Sequence, residues 1–152
     1  MVIINRRMQA TPEIMEFLET ATPLEESRNR EIRDMVYTNR DGTLMFNVNT
    51  WRWIHPYIDK GYSYVDLLPT GETKAKSYRV NRLIARIYCW RPFIFADIRK
   101  PWRQLDVHHI NHCTLDNRPE NLEIIDPRYH RKLHHSKDTE VNLIFCGEDE
   151  VV

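Results

Sequence analysis

Six of the seven histidines in this 152-residue chain lie between His108 and His135, in the stretch LDVHHINHCTLDNRPENLEIIDPRYHRKLHHSK. Leu105 to Ile110 reads as a strand with His108-His109 near its end, Asn111 to Glu120 as a polar loop, and Leu122 to Ile125 as a second short strand. Asp126-Pro127 then starts a helix, because Asp supplies an N-cap oxygen and Pro takes the first helical position, where no N–H is needed. On that helix His130 and His134 project from one face about one turn apart, a spacing at which two imidazoles can share a metal ion. His108 and His109, adjacent on a strand, point to opposite faces, so one can bind metal while the other works. A hairpin with the helix packed across it would bring one of that pair against His130 and His134. Three neutral nitrogen ligands with open positions make a catalytic type of site, whereas a structural zinc site is normally closed by a fourth protein ligand.

The rest of the chain is compatible with such a site. Apolar residues make up 41% and charged residues 29%, with only 4 Gly and 8 Pro, which describes a soluble globular protein of one domain or two small lobes. No apolar run approaches the roughly 20 residues of a membrane helix, and the first residues show no secretory signal. A cytoplasmic address in a bacterial or phage-infected host cell is the expectation. Cys89, Cys113 and Cys146 are widely spaced with no C-x-x-C, so reduced thiols are expected rather than disulfides or a zinc ribbon.

Formal charge is zero, yet it is segregated. Between Lys74 and Arg103 there are nine basic residues and one acid, Asp97, leaving the remainder with 13 basic and 21 acidic residues. A concentrated cationic surface beside acidic flanks can steer a polyanion locally. The plain alternative is a solvated helix face.

Thr11-Pro12-Glu13 and Thr22-Pro23-Leu24-Glu25 each read as a helix start, with a Thr cap, Pro at the first position and acid in the first turn. The first predicts a helix to about Thr20 and the second a charged helix to about Asp34. Met35 to Thr38, Thr43 to Val48 and Tyr62 to Leu68 read as an antiparallel sheet, separated by Arg40-Asp41-Gly42 and Lys60-Gly61 turns. Pro69-Thr70-Gly71 is a further turn, with Lys74 to Tyr78 as a return strand. From Arg79 to Trp90 the period is helical: Val80, Leu83, Ile84 and Ile87 form a packing face, and Arg79, Arg82 and Arg86 share the other side. These three arginines, with Lys74 and Lys76, are the candidates for DNA backbone contact. Trp51, Trp53, Tyr57, Tyr62 and Tyr64 fit core packing better than base stacking. The chain therefore divides into a helical segment (1–34), a sheet plus basic helix (35–103), the histidine-rich motif (104–137) and an acidic tail (138–152), with Val141 to Phe145 a candidate last strand.

At its histidines the sequence resembles the HNH endonucleases, the ββα-metal nucleases of phage, intron and nuclease-colicin origin. His108-His109, Asn121-Leu122-Glu123-Ile124-Ile125 and His130-x-x-x-His134 reproduce the three parts of the motif in order. Asp116-Asn117-Arg118-Pro119-Glu120-Asn121-Leu122 is similar to the family's loop sequence. About 30 residues carry this likeness. A weaker one, from Gly61-Tyr62 and the Tyr78 to Ala85 helix, extends it over roughly residues 33 to 135.

The resemblance implies an α+β fold in which a small N-terminal antiparallel sheet with helices precedes a ββα-metal hairpin and helix. It implies that His108, His130 and His134 hold one divalent metal, that His109 is the general base, and that Asn121 fixes the loop aiming His109. Arg118 and Arg131 would be phosphate contacts beside the site. The implied activity is hydrolysis of double-stranded DNA to 5′-phosphate and 3′-hydroxyl ends. Intron-encoded members often place Asp or Asn at the positions of His108 and His130, which suits Mg²⁺. Imidazole at all three favours Zn²⁺, Ni²⁺, Co²⁺ or Mn²⁺, while Mg²⁺ in excess can still support turnover. Homing, phage packaging and restriction roles, and a monomer or a homodimer, all fit one nuclease core. Two other classes compete: a catalytically silent DNA-binding protein that keeps the ββα-metal fold, for which His109 is superfluous, and a zinc-stabilised interaction module, for which the basic stretch has no use.

Overall fold

A computed structural model of the chain describes residues 9–89 and 102–127. The fold is α+β, with three small antiparallel sheets gathered around one helix. Helix α1 (Pro12–Thr20) starts as its sequence predicts: Pro12 occupies the first turn and the Thr11 hydroxyl accepts from the Ile14 N–H at 3.3 Å.

The second helix signal is overturned. Thr22–Pro23 forms β1, the edge of a four-stranded sheet, paired with Tyr37 and Thr38. Pro23 is tolerated there because an edge strand can leave one backbone position without a donor. Thr22 Oγ1 is bonded to the Tyr88 hydroxyl at 3.0 Å rather than capping a helix. Leu24, fully buried, donates its N–H to Val36 O, so the chain is still pinned to the sheet at this point. Helix α2 spans only Glu25–Arg28 and is ended by Arg30 at φ +59°, well short of Asp34.

The four-stranded sheet continues through β2 (Val36–Thr38), β3 (Met45–Asn47) and β4 (Arg52–Ile54). Phe46 on β3 receives Trp51 and Trp53 edge-on at 5.1 and 5.0 Å, and Phe17 of α1 meets Trp53 at 5.1 Å. Trp51 and Trp53 are thus packing residues. A second sheet contains β5 (Tyr57–Asp59), β6 (Tyr62–Leu67) and β7 (Lys76–Arg79). Lys60 and Gly61 turn between β5 and β6 with φ of +52° and +84°, the two left-handed positions of a tight hairpin. The third sheet is the hairpin of β8 (Asp106–His109) and β9 (Leu122–Ile125).

Helix α3 (Val80–Tyr88) follows β7 directly and contacts both the β6–β7 pair and the β8–β9 hairpin. Its Val80, Leu83 and Ile84 are essentially inaccessible and share one core with Val36 and Met45 from the first sheet and Leu122 and Ile124 from the hairpin. Burying each such side chain contributes about 1.5–3 kcal/mol. No helix among the described residues is long and apolar enough to cross a membrane.

The Arg40–Gly42 turn sits directly on α3. At Gly42, φ is +71°, and a methyl group would fall inside van der Waals contact of Val80 Cγ1 and 2.9 Å from Ile84 Cγ1. Gly71 has a similar φ of +82° with open space around it. Gly71→Ala should therefore cost about 1–2 kcal/mol, the left-handed backbone penalty alone. Gly42→Ala adds an overpacking cost of about 1–3 kcal/mol. Urea unfolding of both variants checks this; equal midpoints would show that the turn does not press on α3.

Candidate functional site

The β8–β9 hairpin pairs His108 with Glu123 and His109 with Leu122. Both histidines are buried, 3% and 5% exposed. Their rings have separate neighbours, as strand alternation requires. His108 lies edge-on to His112 at 5.3 Å, with its Nε2 4.0 Å from Glu123 Oε1. His109 places Nε2 2.9 Å from Asn117 Oδ1 and lies 6.4 Å from the Tyr62 ring. Both nevertheless border the same cleft, a 350 Å³ space that is also lined by His112, Tyr62, Arg79 and Arg82.

The loop between the strands is held by its own amides. Asn121 Oδ1 accepts from the Asn111 N–H at 2.9 Å, while its Nδ2 donates to Asn111 Oδ1 and to Asp116 O, both at 2.9 Å. Asn111 Oδ1 also accepts from the Cys113 N–H, and its Nδ2 donates to Asp116 Oδ2 at 3.0 Å. The Ile110 N–H reaches Asn121 O at 2.8 Å, and His112 turns the chain at φ +63°. Pro119–Asn121 forms one tight turn before β9. The loop is further tied to the other sheets: Thr114 Oγ1 donates to Gly61 O, and Arg40 pairs with Glu120. Asn121 thus lies where a single amide joins both ends and the middle of the loop.

The predicted basic residues divide into two groups. Lys74, Lys76 and Arg79 are exposed. The Arg79 guanidinium lies 4.1 Å from the centre of the Tyr62 ring and 6.0 Å from that of Tyr64, which places a cation on the cleft wall. Tyr62 and Tyr64 are half-buried beneath it, whereas Tyr57 is exposed. Arg82, Arg86 and Arg118 carry internal partners. Arg82 donates to Leu105 O at 2.7 Å and Trp102 O at 2.9 Å, and burial lowers its pKa. Arg86 forms a two-point pair with Glu31 at 2.8 and 3.0 Å and approaches the buried Glu26, whose pKa is raised by desolvation. Arg118 holds Asp116 by two contacts of 2.8 and 2.7 Å.

His130, His134 and Arg131 lie outside the described residues, as do the helix expected after Asp126-Pro127, the acidic tail and Cys146. Cys89 and Cys113 are buried reduced thiols, as expected. Among the described residues, no group of three His, Cys, Asp or Glu side chains could hold a metal ion. His108 is the one expected ligand within them, and a buried imidazole bordering the cleft fits a single nitrogen donor. Sequence reasoning missed Asn117, whose side chain is 5% exposed and bonded to His109. Its only signal was its membership of an amide-rich loop.

The Asp116 carboxyl is held below its ordinary value of 3.8, first by the Arg118 side chain and further by the Arg118 backbone N–H and Asn111. A depressed carboxylate contributes stability above its unfolded pKa and loses it as pH falls through the folded value. Wild-type stability should accordingly decline below about pH 4, and Asp116→Asn should flatten part of that acid slope while being less stable at pH 7. Urea midpoints from pH 2.5 to 7 measure this; parallel curves for the two proteins would contradict it.

No protein-family model and no curated protein sequence matches the chain. Among solved structures, it superposes on one described as DNA binding and cleavage by the HNH homing endonuclease I-HmuI. The TM-score is 0.51 at 18% identity, over 72% of this chain and 59% of that one. The present chain thus spans about three-fifths of its structural neighbour. The likeness is one of fold, and it supports an HNH-like α+β architecture for the chain.

Proposed function

We propose that the protein is a metal-dependent endonuclease of the HNH type acting on double-stranded DNA. The observation that supports this best is the buried His108-His109 pair bordering a cleft that also receives Arg79. A hairpin of this size has no structural need for two adjacent buried imidazoles, since Val107, Leu122 and Ile124 already supply its apolar contacts.

In this reading His109 is the general base. An imidazole, as a class, titrates near 6.5 and can take a proton from water at neutral pH. The water oxygen forms a bond to phosphorus, its proton passes to His109, and the bond from phosphorus to the 3′ oxygen breaks, the departing oxygen taking a proton from solvent. The products carry 5′-phosphate and 3′-hydroxyl ends. His108, with His130 and His134, would hold one divalent ion, drawn from Mg²⁺, Mn²⁺, Zn²⁺, Ni²⁺ or Co²⁺. When bound, such an ion would supply positive charge to the phosphate as negative charge develops on it. Asn121 acts through the loop, keeping the end of β8 in place while substrate enters. Arg79, with Lys74 and Lys76, holds the phosphate backbone; Arg82, Arg86 and Arg118 act mainly by keeping that surface in shape. Nicking or cutting of both strands depends on oligomeric state and binding geometry, with a monomer and a homodimer both open.

Plasmid cleavage by metal-stripped protein, with each ion restored singly, tests the activity. His109→Ala should lower cleavage by about 10²–10⁴-fold while metal binding is retained. DNA binding without cleavage under every ion would favour the silent DNA-binding protein. Arg79→Ala should weaken DNA binding across sequences and reduce the salt slope of log K by about 1, and an unchanged slope would remove Arg79 from the interface.

A further inference from the structure

We propose that the side-chain amide of Asn81, in the first turn of α3, is a phosphate-binding donor on the cleft wall that holds a non-bridging oxygen of the DNA backbone. This rests on the reading of the cleft as the seat of DNA, and it adds an uncharged contact that the basic residues do not supply.

Asn81 is the second residue of α3 and is 5% exposed, yet it borders the cleft. The Arg82 N–H lies 2.9 Å from Asn81 Oδ1. A backbone N–H only donates, so the atom facing it is the carbonyl oxygen, and Nδ2 is the end of the amide left over. That nitrogen donates to no protein group among the described residues and is not sealed from solvent, so it opens on the cleft. An amide donor held this deep without a partner costs free energy, and an acceptor bound in the cleft relieves that cost.

The kind of acceptor follows from the surroundings. With its oxygen taken, the side chain can only donate outward, and it lacks the donor–acceptor pair by which an amide reads an adenine edge. Helix α3 starts with no side-chain cap and no acid in its first turn, which leaves the positive end of its dipole uncompensated. Arg79, at the cap position, is exposed on the same cleft. Asp106, the acid on the cleft among the described residues, lies within electrostatic reach of Arg82. An oxygen that meets the Asn81 amide therefore meets the helix start and a guanidinium as well, a set of three that suits a phosphodiester anion rather than a neutral base.

The test uses the full chain without metal and a short mixed-sequence duplex as probe. In the wild type, the Asn81 side-chain NH₂ signals, assigned through its own Cβ, should shift on adding the duplex and on adding inorganic phosphate, and stay in place with adenosine. Asn81→Ala should raise the Kd for the duplex about 10-fold and leave the salt slope unchanged, because an uncharged donor displaces no counterion. Asn81→Asp keeps an oxygen for the Arg82 N–H, loses the outward donor and puts an acid where a helix start favours one. It should be more stable than Asn81→Ala in thermal melts yet bind more weakly, with Kd raised about 100-fold. Signals that move with neither duplex nor phosphate would overturn the proposal, as would signals that move with adenosine alone. So would variants whose affinity falls only in step with their stability. If the signals and affinities behave as described but no ion supports plasmid cleavage, the phosphate contact stands and the nuclease reading fails. Cleavage by the wild type with unmoved Asn81 signals would do the reverse.

Discussion

Arg82 joins the two halves of the molecule. Its guanidinium leaves α3, lies 4.7 Å from the Trp102 ring centre, and donates to the carbonyls of Trp102 and Leu105 immediately before β8. Carbonyls at the entrance to a short hairpin need partners, and a buried charged group needs acceptors; each meets the requirement of the other. The apolar side of α3 packs between the β6–β7 pair and β9, so the same helix sets the position of the hairpin by packing and its entry point by hydrogen bonds. The place of His108 and His109 relative to Arg79 and Tyr62 depends on this arrangement, because β7, α3 and β8 all border the cleft.

A second constraint acts within the hairpin. The connection from β8 to β9 has no regular structure apart from the turn at 119–121, and ordering backbone costs about 1–2 kcal/mol per residue. Single hydrogen bonds contribute about 1 kcal/mol each, so isolated contacts would not hold it. Asn111, Asp116 and Asn121 instead form a closed set in which each side chain bonds to another and each also bonds to backbone. Once one amide is placed, the others lose little further freedom on joining. The loop also draws on its neighbours through Thr114 to Gly61 and Arg40 to Glu120, which places the hairpin against the second sheet and the Gly42 turn at once.

What the sequence revealed follows from how local each feature is. Helix α1 was legible because its cap, proline and apolar period fall within one short segment. The β6 strand, the Lys60-Gly61 turn, α3 and the histidine hairpin were legible for the same reason, with ends differing by a residue or two. Thr22-Pro23 carried the same local signal as Thr11-Pro12 but a different fate. Pairing with Tyr37 and Thr38 and the contact with Tyr88 are long-range, and together they outweigh a capping preference of about 1 kcal/mol. The basic face of α3 was visible as a stripe, but that Arg79 would be exposed while Arg82 and Arg86 take partners within the fold was not. The acceptors are Leu105 O, Trp102 O and Glu31, far away in the chain.

Asn117 shows where such reading stops and what the fold adds. Buried polar groups are costly unless satisfied, and eight are found among the described residues. Four of them, His108, His109, Asn117 and Asn121, fall on this one hairpin. Asn121 has a structural reason to be there, since it closes the loop. Asn117 meets His109 at 2.9 Å, so each satisfies a buried polar group of the other. Satisfying a buried imidazole in this way takes a partner eight residues further along the chain, which no local signal in the loop singles out.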